Sequence, residues 1–112
     1  MSKDFENIPA LSAQEQDEAA NVEADHRLKF RLIRSGNPKY LNRYVNDPDA
    51  SVRRKVAKYG GIKYCMELVH DPDDSVRIEV AKRANRNIAN LMLNDPNETV
   101  RKYAKLTLAN QL

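Results

Sequence analysis

The chain has 112 residues, 41% of them hydrophobic and 31% charged, a balance that fits one soluble domain with a modest core. It contains no run near the roughly 18 apolar residues of a membrane span and no apolar signal region at its start, and a lone Cys65 can build neither an internal disulfide nor a Cys-rich metal site, so a cytoplasmic, membrane-free and metal-free protein is expected. The net charge of +3 is unevenly spread: residues 1–25 set seven carboxylates against Lys3, a net −6, leaving eighteen basic and nine acidic residues, +9, in 26–112.

Residues 1–11 show no periodicity and read as disordered. Residues 12–35 read as a leading helix, with Ser12 and Glu15 as a capping box, a break near Asn21, and Leu28, Leu32 and Ile33 on one face. The boundary between an acidic leader, 1–22, and a repeat domain, 23–112, falls inside it. The leader can act as a solubilising tail, as a cap over the end of the array, or as a mimic of an acidic ligand folded over the basic body. Tail and cap rank ahead of the mimic, because the terminal units of repeat arrays need a polar outer face.

Beyond the leading helix the chain repeats itself. Asp-Pro occurs at Asp47-Pro48, Asp71-Pro72 and Asp95-Pro96, each 24 residues after the last, inside DPDASVRRKVAK, DPDDSVRIEVAK and DPNETVRKYAKL. Counting back 24 from Val52, Arg53 and Val56 reaches Leu28, Lys29 and Leu32, an eroded earlier copy. Each unit reads as a longer helix followed by a shorter one. Asp47, Asp71 and Asp95 are expected as N-caps with proline in the first helical position, and Asp74 and Glu98 place charge in the first turn. Val52, Val56 and Tyr59, then Val76, Val80 and Ala84, then Val100 and Ala104 form the inward stripe. The longer helices should stop near Gly60-Gly61 and near Asn85, residues that tolerate a left-handed backbone. The shorter helices carry Leu41, Tyr44 and Val45, then Cys65, Leu68 and Val69, then Ala89, Met92 and Leu93. So short a helix pair cannot bury its stripe alone, and neighbours must stack into an all-α solenoid.

The recurring D-P-x-x-x-V-R-x-x-V-A at a 24-residue period resembles the leucine-rich repeat variant family, a branch of HEAT-like helical repeats, over about residues 28–112. The last unit departs from it with Ala104-Lys105, and the earliest lacks Asp-Pro. The resemblance implies a short right-handed α-solenoid of stacked helix pairs that serves as a binding surface without activity. Some members carry an iron–sulfur centre beside the repeats, which Cys65 alone cannot supply, so no cofactor is expected.

Two basic sets stand out. Lys29, Arg53, Arg77 and Arg101 share one column, and a ladder to Asp47, Asp71 and Asp95 of the same or an adjacent unit is favoured over contact with a phosphate backbone. The second set is the candidate binding face: Arg34, Lys58 and Lys82 in one column, Lys39 and Lys63 at the unit turns, and Arg54, Lys55, Arg83 and Arg86. In the column of Arg34, Lys58 and Lys82 no acidic residue stands at a matching repeat position, and both a plain solvated face and a nucleic-acid surface remain open for the set. Tyr40, Tyr44, Tyr59, Tyr64 and Tyr103 suit packing better than base stacking. His70 precedes an Asp-Pro as Asn46 and Asn94 do, a turn position, and His26 has no partner pattern. With no HExxH, glycine-rich phosphate loop or nucleophile elbow, an enzyme is not expected. Binding of another protein through one face is the leading expectation, and nucleic-acid binding by the basic body, masked or not by the acidic leader, is the alternative.

Overall fold

All but one of the helices after the first open on a side-chain cap. The computed structural model describes residues 13–110, and of 14–23 the backbone alone. The disorder expected over 1–11 and the capping box resting on Ser12 lie outside the described residues.

Helix α1 spans Ala13–Arg34. It runs unbroken through Asn21, where a break was expected, because a single asparagine costs only a few tenths of a kcal/mol in a helix otherwise rich in Ala, Glu, Gln and Arg. It ends at Gly36, φ +75°, whose N–H donates to the Ile33 carbonyl at 3.0 Å. Asn37 then accepts from the Lys39 N–H at 3.0 Å and opens α2, Pro38–Tyr44, with proline in its first turn.

The Asp-Pro turns differ from expectation. Helix α3 covers Ala50–Tyr59 and α5 covers Asp74–Arg83, so each starts two residues beyond the proline, and the caps are Asp49 and Asp73. Asp47 accepts from the Asp49 N–H at 2.9 Å, and Asp49 in turn accepts from the Ser51 N–H at 2.8 Å. Asp71, Asp73 and Ser75 repeat the pattern at 2.9 and 2.8 Å, and Asp95, Asn97 and Thr99 at 2.8 and 2.8 Å before α7, Glu98–Asn110. The physical reason is local. The residue before a proline is driven to extended backbone, and the first carboxylate closes the turn on the amide two residues on, leaving the second Asp or Asn to cap. Asp74 and Glu98 do lie in the first turns of α5 and α7.

The short helices are α4, Ile62–Leu68, and α6, Arg86–Leu91. Gly61, φ +83°, makes the turn into α4, whereas Asn85 is extended, φ −83°, and accepts from the Ile88 N–H at 2.9 Å. Asn85 therefore caps the helix that follows; it is not the left-handed end of the one before. Among the described residues there is no strand.

Two layers result. The long helices pack in chain order, α1 on α3, α3 on α5 and α5 on α7, while α2 and α4 each lie against the long helices before and after them and α6 lies against α7. The molecule measures 57 × 31 × 23 Å along its principal axes. Its core runs lengthwise between the layers, and the 24-residue columns are visible in it: Val52, Val76 and Val100 are completely buried, as are Val56, Val80 and Ala104. Burying each valine contributes about 1.5 kcal/mol or more. Tyr64 joins this core, as do Ile88, Ala57 and Ala81, which were not singled out for it, while Tyr59, Ala84 and Leu93 are half-buried against it. Leu28 departs from its column: it is 49% exposed, because no helix pair precedes α1 among the described residues to cover it.

Candidate functional site

The contacts between units place the starts of the long helices on one edge. Arg53 donates from Nε to Asp71 Oδ2 at 2.8 Å and from Nη2 to Oδ1 at 3.1 Å, and its Nη1 donates to the Asp47 carbonyl at 2.8 Å. Arg77 repeats this with Asp95 at 2.9 and 3.4 Å and with the Asp71 carbonyl at 2.7 Å. Lys29 makes the equivalent bond to Asp47 at 2.9 Å and also meets Asp25 at 3.2 Å. Each aspartate is thus held by the preceding unit's cation, and each arginine spans two units. The bond to Asp71 raises the affinity of Arg53 for its proton, and the bond to Asp47 does the same for Lys29. Asp49 and Asp73 are held below the usual carboxylate range, first by the Ser51 and Ser75 hydroxyls and then by the backbone N–H groups of the same residues. His26, for which no partner was foreseen, pairs with Asp49 at 3.0 Å and stacks on Phe30. That contact spans units and has no repeating sequence signal.

The opposite edge gathers cations. Arg34 lies in the last turn of α1, Lys58 in that of α3, and Lys82 and Arg83 in that of α5, where the helix dipole favours positive charge. Lys39 and Lys63 stand in the first turns of α2 and α4, and Arg86 opens α6. Arg54 projects outward from α3, while Lys55 leans back over the Phe30 ring, 5.4 Å from its centroid. Arg83 differs from the rest: it pairs with Glu79 at 2.9 Å, one turn earlier on its own helix. None of the other eight has a carboxylate within ion-pair distance among the described residues.

Tyrosine rings back several of these lysines. The ammonium groups of Lys39, Lys58, Lys63 and Lys82 sit over Tyr40, Tyr59, Tyr64 and Tyr103 at 5.7, 5.4, 5.3 and 5.9 Å. The rings themselves belong to the packing. Tyr64 and Tyr44 are buried, Tyr64 donates its hydroxyl to Asn42 at 2.8 Å, and Tyr40, Tyr59 and Tyr103 are half-buried against the core. None of the five tyrosines is fully exposed.

His70 is exposed before Asp71. Cys65 is enclosed, its thiol donating to the Ala57 carbonyl at 3.5 Å, and burial pushes its pKa up. Among the described residues no group of His, Cys, Asp and Glu could hold a metal ion, and no helix is long and apolar enough to cross a membrane. No protein-family model, curated protein or solved structure matches the chain.

Proposed function

We propose that the chain is a non-catalytic binding scaffold, a short right-handed solenoid of HEAT-like 24-residue helix pairs akin to the leucine-rich repeat variant family, which takes an acidic segment of a partner protein along its basic edge. One observation carries this reading: the two edges spend their charge differently. On the carboxylate edge Asp47, Asp71 and Asp95 are neutralised by Lys29, Arg53 and Arg77 within the array. On the other edge Arg34, Lys58 and Lys82, with Lys39 and Lys63, repeat at the unit spacing without ion partners among the described residues. Charge left over at regular intervals favours an extended anionic partner and gives little to a small ligand.

The test is affinity capture from lysate with the wild-type chain and with the Lys58→Ala/Lys82→Ala double variant, at two salt concentrations, with and without nuclease. A protein that is retained after nuclease and lost with the double variant supports the reading; retention by both chains defeats it. A second reading, binding to a phosphate backbone, is favoured by the even spacing of Arg34, Lys58 and Lys82. It predicts capture that disappears with nuclease and an affinity for a DNA or RNA duplex that falls steeply as salt rises. Masking by the acidic leader predicts tighter binding once residues 1–22 are deleted.

A further inference from the structure

Among the described residues Arg101 has no carboxylate partner of the kind that Arg53 and Arg77 hold. Its column mates Arg53 and Arg77 use three nitrogens: Nη1 grips a backbone carbonyl in their own unit, and the Nε–Nη2 fork takes the aspartate of the next. Arg101 keeps the first contact, Nη1 to the Asp95 carbonyl at 2.6 Å. Its Nε and Nη2 have no acceptor among the described residues.

The surface around that fork is open. Arg101 shares one open side of α7 with Glu98, Lys102, Lys105, Leu106 and Ala109. Lys105 stands in the column of Ile33, Ala57 and Ala81, all completely buried, so the side of the helix that is apolar in earlier units is charged here. Leu106, 47% exposed, supplies an apolar element beside the cations. This face suits a helix that brings carboxylates as well as apolar contact.

The other end of the same molecule has those properties. The 24-residue register that relates Asp95, Asp71 and Asp47 leads back to Glu23 in the sequence, within the α1 span. Residues 13–25 hold Glu15, Asp17, Glu18, Glu23 and Asp25 and no basic residue. Leu28 stands in a column otherwise completely buried and is half exposed.

We infer that the α7 face binds the acidic half of α1 of a second copy of this chain, with Arg101 meeting Glu23, so that one molecule adds head to tail to the next. The contact is heterologous and does not close on itself, so it yields concentration-dependent chains of varying length and no fixed dimer. It is independent of the basic-edge reading, which uses a different surface.

The experiment is sedimentation of the full chain over a concentration series at low and moderate salt, with the charge-reversed variants Arg101→Glu and Glu23→Arg. Wild type should associate, less at higher salt, and each variant alone should remain monomeric. An equimolar mixture should associate again, because every junction in it pairs opposite charges. Circular dichroism confirms that each variant is folded. If Arg101→Glu fails to fold, Arg101→Gln retains a donor for the Asp95 carbonyl and should weaken association about tenfold or more. A wild-type chain that stays monomeric throughout, a variant that associates like wild type, or a mixture that stays monomeric would overturn the inference.

Discussion

Arg53 and Asp71, eighteen residues apart, meet through two nitrogens and two oxygens at 2.8 and 3.1 Å, with Asp71 only 8% exposed. Removing the cation strands a buried carboxylate, which is far more costly than losing a surface ion pair. Arg53→Ala should therefore destabilise the fold by about 3 kcal/mol in urea denaturation. Arg53→Lys should cost clearly less, because Lys29 shows that an ammonium in this column still reaches its aspartate, at 2.9 Å. Equal losses in the two variants would mean that packing of the arginine stem, and not the ion pair, is what matters.

Gly60 stands where the chain turns from α3 into α4. A Cβ there would come within 2.6 Å of the Val56 carbonyl oxygen and 2.9 Å of Tyr64 Cδ2. Gly60→Ala should destabilise by about 1–3 kcal/mol through overpacking against backbone that cannot yield. At Gly61 there is open space but φ is +83°, so Gly61→Ala should cost about 1 kcal/mol, from backbone strain alone. The paired Tyr64→Ala background separates the two: it should relieve part of the Gly60 penalty and none of the Gly61 penalty.

The capping carboxylates set the acid limit. Asp49 and Asp73 are depressed in the folded state by their serine hydroxyl and backbone donors. Their contribution is complete above the unfolded carboxyl value near 3.9 and is lost as pH falls through the lower folded values. Lys29 is raised, so its contribution is complete below the ordinary lysine value of 10.5 and lost as pH climbs through the folded one. Urea midpoints should be flat between about pH 5 and 9 and fall on either side. Asp49→Asn keeps a capping acceptor and should flatten the acid limb; an unchanged acid limb would remove Asp49 from this role.

Cys65 reports on opening. It is completely buried and its pKa is pushed up by burial, so a thiol reagent should label the native chain far more slowly than the urea-unfolded chain. The Arg53→Ala variant should label faster than wild type in proportion to its lost stability. Rapid labelling of native wild type would show that α4 detaches without global unfolding.

The register of the array was legible because it rests on columns that recur: Val52, Val76 and Val100 at one depth, and Arg53 and Arg77 in one pose. What was not legible depends on contacts that do not recur or on competition among adjacent acceptors. Asp47 and Asp49 are both good caps by composition, and only the turn decides that the first serves the amide two residues on and the second opens the helix. Tyr64 looks amphipathic in isolation but is enclosed because its hydroxyl finds Asn42. Of the basic edge, the column Arg34, Lys58, Lys82 was readable, while the capture of Arg83 by Glu79 was not, since attention to matching repeat positions overlooks a partner one turn away.

The stitch formed by Arg53 and Arg77 also bears on how the chain comes apart. Each guanidinium holds a carbonyl of its own unit and a carboxylate of the next, so a unit that unravels removes the acceptor from one neighbour and the donor from the other. Unravelling of residues 71–83, which hold both Asp71 and Arg77, would leave Arg53 and Asp95 unpaired at once. Local fraying should thereby be penalised beyond the apolar contact it gives up, and the chain should melt more nearly in one concerted step than units joined by apolar contact alone, which could peel away one by one.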